Sequence, residues 1–405
     1  MSLRWLGVLV AGAMVAGCAP PDDPVLGEQP SGDAVDAIQG GYADPTDTAV
    51  VGVVDVNNGG ICSGSLIAPN LVLTARHCVS RTLNTAPNGG IICSQTTSGS
   101  PTNATNLYVT TDEEMDYQGN WYQGREVVGL PSDNKFCGQD QALIILQENI
   151  PAEAAVPLVP RVDSALVEDE LYYAVGYGQT SDSPNAPSGS RRRRDNLAVY
   201  CAEEGCSEFD SYMTSTEWIG DTGICSGDSG GPAIDLQNRV VGVTSRGGQN
   251  CSSPIYGSTH SWGQWLKDTA IYAAQLGAYD PAPWASGWPT DPAYSLPIGD
   301  ACDTTTCQIC INNLCTRPCL DDVAPCPESY QCEAFEDGTQ FCTPTPEPAD
   351  EDGGGSKKKK KADSAEEQAE SGGCSAGGRE DPTNPVPWRT GALALAVLAL
   401  RRRRR

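Results

Sequence analysis

Two histidines occur in 405 residues, His77 and His260. His77 lies in Leu73-Thr-Ala-Arg-His-Cys78, directly after the apolar run Ser65–Leu73. Asp140 opens a second apolar run, Asp140-Gln-Ala-Leu-Ile-Ile-Leu146. Ser229 sits in Gly227-Asp-Ser-Gly-Gly-Pro232. A serine hydroxyl is a weak nucleophile until a neighbouring base takes its proton. An imidazole suits that task, and a carboxylate on its far nitrogen fixes the tautomer and stabilises the imidazolium. His77, Asp140 and Ser229 therefore read as base, orienting group and nucleophile. His260 falls in the C-terminal helical stretch, and the rival carboxylates Asp116 and Asp133 open no apolar strand. Glycine adopts backbone angles closed to other residues. The turn at Ser229 can thus aim the N–H groups of Gly227 and Ser229 at one developing oxyanion. The chemistry is acyl transfer, and it calls for no cofactor and no metal ion.

The Thr-Ala-x-His-Cys box, the Asp-x-Ala-Leu box and Gly-Asp-Ser-Gly-Gly-Pro come in the order His, Asp, Ser. In this combination the chain resembles the chymotrypsin/trypsin-like serine proteases over residues 38–279. The resemblance implies an all-β fold of two six-stranded antiparallel barrels with a C-terminal helix, and the triad between the barrels. It implies disulfides Cys62–Cys78 beside the histidine and Cys225–Cys251 across the specificity pocket. It also gives Ser245 a hydrogen bond to the catalytic aspartate. In its register Gly223 forms the pocket floor, with Gly247 and Pro254 as walls. With no carboxylate at the floor, cleavage after small or apolar residues is expected. Arg246 stands where the family carries an aromatic, and its place along the channel suggests either a taste for acidic substrate side chains or a blocked subsite. Arg76 and Gln141 are two further departures, and neither removes a catalytic group.

The same resemblance makes Ile38-Gln-Gly-Gly41 the start of the mature enzyme. A cut between Ala37 and Ile38 would free an α-amino group to pair with Asp228. Without that partner Asp228 is a buried, lone carboxylate, and breaking such a pair costs ~3–5 kcal/mol. Ala37, not Lys or Arg, argues against a trypsin-like activator and suits self-activation. The alternative is that Asp228 is held in another way and no cut occurs.

Short apolar runs broken by Gly, Asn, Pro and Ser read as strands: Val50–Val56, Leu66–Leu73, Asn106–Thr111, Val127–Leu130, Ala142–Leu146 and Leu171–Val175. Helical periodicity first persists at His260–Gly277. Residues 181–190 and the four arginines after them read as an exposed loop, with Arg191–Arg194 as solvated surface or a nick site.

The formal net charge is −26, with 12 basic and 27 acidic residues between positions 38 and 279. That balance excludes nucleic acid and anionic membrane surfaces as partners of the folded body. Eighteen cysteines divide into eight in the protease region, eight in 302–342, and the singles Cys18 and Cys374. Even sets imply disulfides and an oxidising compartment. Proximity suggests Cys201–Cys206 and Cys93–Cys137. Cys307-x-x-Cys310 has the spacing of a zinc site, but no histidine accompanies it in a chain that reads as exported.

The ends divide further. Residues 1–18 read as a signal peptide, and Val15-Ala-Gly-Cys18 resembles a bacterial lipoprotein box that would place lipid on Cys18. Residues 19–37 are propeptide or linker. Residues 280–300 are a linker, 301–343 a Cys-rich disulfide module whose role is binding a protein partner, spacing or neither, and 344–373 a low-complexity spacer. Residues 374–405 hold Cys374, ten apolar residues and five terminal arginines, resembling myxobacterial C-terminal sorting signals. The whole reads as an exported, surface-anchored serine endopeptidase made as a zymogen. Protein or peptide is its substrate, and it meets the membrane through the N-terminal lipid and C-terminal anchor. The alternatives are an inactive protease-like binding protein and a non-proteolytic esterase.

Overall fold

The computed structural model describes residues 38–346 apart from 132, 184, 210, 303–306, 322 and 336. They belong to the compact unit that ends at Pro346. The expectations for Cys18, Ala37 and Cys374, and for the spacer beyond Pro346, lie outside the described residues.

Two barrels make up the protease body. The first is closed from β1 (Val50–Asp55), β2 (Gly60–Ala68), β3 (Leu71–Thr74), β4 (Leu107–Thr110), β5 (Tyr122–Gly129) and β6 (Ala142–Leu146), in the order β1-β2-β3-β6-β5-β4. Alternate residues of these strands point inward, and Val51, Val53, Leu66, Val72, Val109 and Ile144 fill its interior. The apolar run Leu66–Leu73 is two strands, not one. A reversal at Pro69–Asn70 divides it, and Ser65 then faces Leu73 across the hairpin.

The second barrel uses β7 (Leu171–Gly176), β8 (Arg192–Ala202), β9 (Glu217–Gly220), β10 (Pro232–Asp235), β11 (Arg239–Arg246) and β12 (Ile255–Ser258). Their order is β8-β7-β10-β11-β12-β9, and β9 pairs back onto β8 to close the ring. All pairs within both rings are antiparallel. Tyr172, Trp218 and Tyr256 pack inside it, with the Trp218 and Tyr256 rings stacked at 4.2 Å. A third apolar cluster joins Leu73 and Ile145 of the first barrel to Val240 and Val243 of the second. It also receives Trp265, Leu266 and Ala270 from the helix Gly263–Gly277.

Two sequence expectations change here, and the pairing of the C-terminal cysteines is new. The arginine run is not solvated surface. Arg191 is 1% exposed, and Arg192–Arg194 open β8. Arg191 donates to the carbonyls of Asp44, Val50 and Thr111 and to the Tyr177 hydroxyl, so its desolvation is compensated. The stretch 280–300 does not hang free of the body. Trp284 and Ala285 are buried in the inter-barrel cluster, and the Thr290 N–H and hydroxyl both donate to Asp163. The cysteines of the C-terminal module pair as Cys302–Cys310, Cys307–Cys315, Cys319–Cys332 and Cys326–Cys342. These are two successive crossed pairs, which staple a segment too small to have a core of its own.

Candidate active site

Strand register brings the base to its orienting group. β3 pairs with β6, placing Thr74 opposite Ala142. His77 lies on a single helical turn, Arg76–Val79, just past the end of β3, and Asp140 lies just before β6. The His77 Nδ1 is 2.8 Å from Asp140 Oδ2, and the His77 backbone N–H donates to Oδ1 at 2.9 Å. Ser245, at the end of β11, donates its hydroxyl to Asp140 Oδ2 at 2.6 Å. Asp140 thus accepts three hydrogen bonds while 3% exposed. Burial pulls the His77 pKa down, but the charge and hydrogen bond of Asp140 outweigh it and hold the imidazole above its ordinary value. Arg246 works against that rise.

Ser229 is delivered by the turn before β10. Its carbonyl accepts from Ser63 N–H of the first barrel at 2.8 Å, and Gly230 N–H donates to Thr244 of the second at 2.7 Å. The nucleophile turn is therefore sewn to both barrels. Gly230 has φ +82°, and a Cβ there would lie 2.1 Å from Thr74 Oγ1 and 2.3 Å from the Ser63 carbonyl. Among the described residues the Ser229 hydroxyl takes no hydrogen bond within the protein. Contacts of this kind are commonly long without substrate and tighten in its complex.

The backbone beside Ser229 has a defined orientation. Gln179 N–H donates to the Ser226 carbonyl at 2.7 Å. Because a trans peptide holds its C=O and N–H in opposite directions, the Gly227 N–H points the other way. The Gly227 carbonyl accepts from Ser63 Oγ at 2.9 Å, and Ser63 Oγ in turn accepts from Tyr177 N–H at 2.9 Å. Gly227 and Ser229 donate no backbone hydrogen bond among the described residues, which leaves both N–H groups open for an anionic oxygen.

Asp228 points inward, 1% exposed. Its carboxylate accepts from Gly178 N–H at 2.8 Å and from Cys225 N–H at 2.9 Å, with no cation beside it among the described residues. Burial pushes its pKa up to about 7 against those two donors. Ile38 is fully buried in the second barrel's core with Tyr172 and Trp218. Gln39 N–H donates to the Gly223 carbonyl at 2.8 Å.

The cavity beside Ser229 measures about 160 Å³ and is lined by Ile224, Cys225, Ser226, Ser245, Gly247 and Cys251, among others. Of the three pocket positions expected from the sequence, Gly247 lines it, while Gly223 and Pro254 do not. A Cβ at Gly223 would meet the Arg194 guanidinium at 2.1 Å. Arg246 is committed elsewhere than to substrate. It pairs with Glu217 at 2.5 Å, with side chains 12% and 1% exposed, and donates to the Tyr212 carbonyl. That buried pair cancels the charge expected to attract acidic side chains.

Disulfides join Cys62–Cys78, Cys93–Cys137, Cys201–Cys206 and Cys225–Cys251. Sequence reasoning missed Ser63, Glu217 and Arg194. Nothing local marks Ser63 or Glu217, since each works through a partner more than 25 residues away. Arg194 was hidden in a charge run.

The family described as Trypsin matches residues 38–262. Mast cell protease 3 of Ovis aries is 26% identical over 258 residues, covering 59% of this chain and 91% of that protein. The trypsin of Saccharopolyspora erythraea is 25% identical over 201 residues, covering 48% and 78%. The serine protease SP24D of Anopheles gambiae is 30% identical over 189 residues, covering 45% and 61%. The family match spans more than half of the chain and contains both closed barrels and the His77, Asp140 and Ser229 positions, so this protein belongs to the trypsin family of serine proteases.

Proposed function

We propose that the protein is a serine endopeptidase, exported and anchored at the cell surface, and made as a zymogen. The observation that carries this reading is the carboxylate of Asp140, shared between His77 and Ser245 beside the Ser229 turn. Ser229 Oγ attacks the scissile carbonyl as His77 Nε2 takes its proton. The Gly227 and Ser229 N–H groups receive the oxyanion, a contribution of ~10²–10³ in turnover per donor. His77 then returns the proton to the leaving amine, and water releases the acyl group by the same route.

The small cavity and its apolar Ile224 side favour small or apolar residues before the cleaved bond. Asp182 lies at its edge, but that carboxylate caps the Asn250 N–H at 2.7 Å. Activation before Ile38 would supply the cation that Asp228 lacks. It would also abolish a strained torsion, since Ile38 holds φ +46°, which β-branched residues avoid. Eight disulfides suit an oxidising compartment outside the cytoplasm. No helix among the described residues is long and apolar enough to cross a membrane. The lipobox-like run ending at Cys18 and the Cys374, apolar and arginine segments of 374–405 support anchoring at the two ends.

A fluorophosphonate probe tests the reading on protein purified from the cell envelope, with the labelled chain's N-terminus sequenced. Label on Ser229 of a chain beginning at Ile38 is expected. An unlabelled chain with that same N-terminus would mean a dead scaffold.

A further inference from the structure

Arg76 directly precedes His77 on the helical turn Arg76–Val79, and it is 7% exposed. Its guanidinium Nη2 donates to Asn134 Oδ1 at 2.6 Å, while Nε and Nη1 have no partner among the described residues. Asn134 lies on the segment leading to Asp140, and its carbonyl takes the Ser98 N–H at 2.8 Å, so the acceptor is held in place. Other deeply placed arginines are compensated. Arg191 reaches four acceptors, and Arg161, Arg239 and Arg246 each meet a carboxylate. Arg76 does neither. Burial works against its charge, and the group whose charge supports it is Asp140. Yet the three hydrogen bonds that Asp140 accepts come from His77 and Ser245. Arg76 therefore acts on the triad carboxylate through its field alone.

We propose that Arg76 is a positioning residue that acts on His77 through Asp140 and keeps the base neutral into mildly acidic medium. The proposal deepens the endopeptidase reading and rests on it, since a triad base works only when neutral. A carboxylate that also balances a fixed cation attracts the imidazolium less strongly. The guanidinium further repels the imidazolium formed on the next residue, and burial strengthens that repulsion. Both effects oppose protonation of His77. The other charges acting on His77 are Asp140, from the segment before β6, and Arg246, from the end of β11 with Glu217 of β9 as its partner. Asp140 favours the imidazolium, and Arg246 opposes it. Arg246 also reaches Asp140 by a bonded route, since its Nη1 donates to Ser245 Oγ at 3.1 Å and Ser245 donates to Asp140. Glu217 offsets the Arg246 charge, whereas nothing among the described residues pairs with Arg76. An unpaired buried cation costs folding free energy, so its removal separates a catalytic use from a structural one.

The chain has two histidines, so NMR of labelled imidazoles follows each through a pH titration. Full chain carrying Ser229→Ala is the parent, and His260→Gln in that parent identifies the His77 signal. Arg76→Met keeps the apolar stem and removes the charge, and the His77 midpoint should then stand ~0.5–1 higher on the pH scale. Arg76→Lys keeps a charge and should bring the midpoint back toward the parent's. The thermal melt of Arg76→Met should be no lower than the parent's. If Arg76→Met does not fold, Arg76→Gln, which offers Asn134 an amide donor without the charge, decides by the same titration. A midpoint that stays or falls overturns the proposal, and a lowered melt beside an unchanged midpoint would make Arg76 a support for the Asn134 segment alone. In protein with Ser229 intact, the acid limb of kcat/KM should move up with the midpoint. If that protein takes up no fluorophosphonate, the endopeptidase reading fails, and the His77 midpoint still decides what Arg76 does to the imidazole.

Discussion

The two barrels share a strand count and differ in what they bury. The first has an interior of valine, leucine and isoleucine, and only its rim carries chemistry, His77 and Asp140. The second buries charge: Glu217 with Arg246, Asp235 with Arg239, and Asp228 without a cation. An apolar interior is fixed by packing alone and tolerates no shift of register, which suits a rim that must hold two side chains 2.8 Å apart. A barrel with buried ions depends on each partner being present. That makes it the natural half to respond to a chain cut or to pH, and it is the half that carries Ser229, Gly227 and the pocket.

The largest effect falls on the first barrel's rim. Asp140→Asn keeps the shape but reverses the hydrogen-bond sense at His77 Nδ1, and kcat should drop ~10⁴-fold with the melting temperature little changed. A large fall in melting temperature would mean that Asp140 serves the fold as much as the chemistry.

Next comes the charge burial itself. Glu217→Ala leaves Arg246 without its partner in a site 12% exposed, and should cost ~3–5 kcal/mol in urea unfolding. Ile144→Ala in the interior of the first barrel should cost a similar ~2–5 kcal/mol through a cavity. Replacing Glu217 and Arg246 together by apolar residues separates the two mechanisms, because it should recover most of the loss. No recovery would break the contrast between the barrels.

Gly230→Ala probes the seam. A non-glycine residue at φ +82° costs ~1–3 kcal/mol, and the Thr74 Oγ1 contact adds to that. Fluorophosphonate labelling should fall with stability. Retained labelling would show that the turn can shift without loss of alignment.

Asp228 gives the barrel its pH response. In uncut Ser229→Ala protein its pKa is raised from 3.8 to about 7, so the folded state holds the proton more tightly than the unfolded one. That contribution to stability is fully present below pH 3.8 and is lost as pH rises toward 7. Thermal melts across that window should show it, and Asp228→Asn should flatten the slope. After a cut before Ile38 the new ammonium should remove it, and an unchanged slope would mean that the amino group does not reach Asp228.

The smallest effect is on His77. Its pKa stands above 6.5, and catalysis needs the neutral form, so kcat/KM should rise with pH through a limb above 6.5. Arg246 lowers that pKa, so Arg246→Met should move the limb to higher pH. A limb that moves lower would mean that Arg246 acts on His77 through packing and not charge.

Much of this was legible in the chain. The three boxes around His77, Asp140 and Ser229 are local signals, because each needs its neighbours within a few residues: an apolar strand to end beside the site, a glycine to turn. Ala142–Leu146 was read to the residue, since a short apolar run closed by Gln147 and Glu148 has clear ends. The Leu66–Leu73 run concealed its hairpin, because Pro69 and Asn70 are a weak break inside so apolar a stretch.

The sequence by itself determined which side chains could do chemistry and that strands would carry them, since both follow from residue type and short spacing. Only the tertiary structure decided which charges are buried and what shapes the pocket. Arg191 is buried because four acceptors from distant segments converge on it. Trp284 is buried because the inter-barrel cluster offers it a place. Gly223 falls outside the pocket beside Ser229 and lies against Arg194, which a distant strand supplies. The cost of burying a group depends on partners far away in the chain, and those partners meet only when the barrels close.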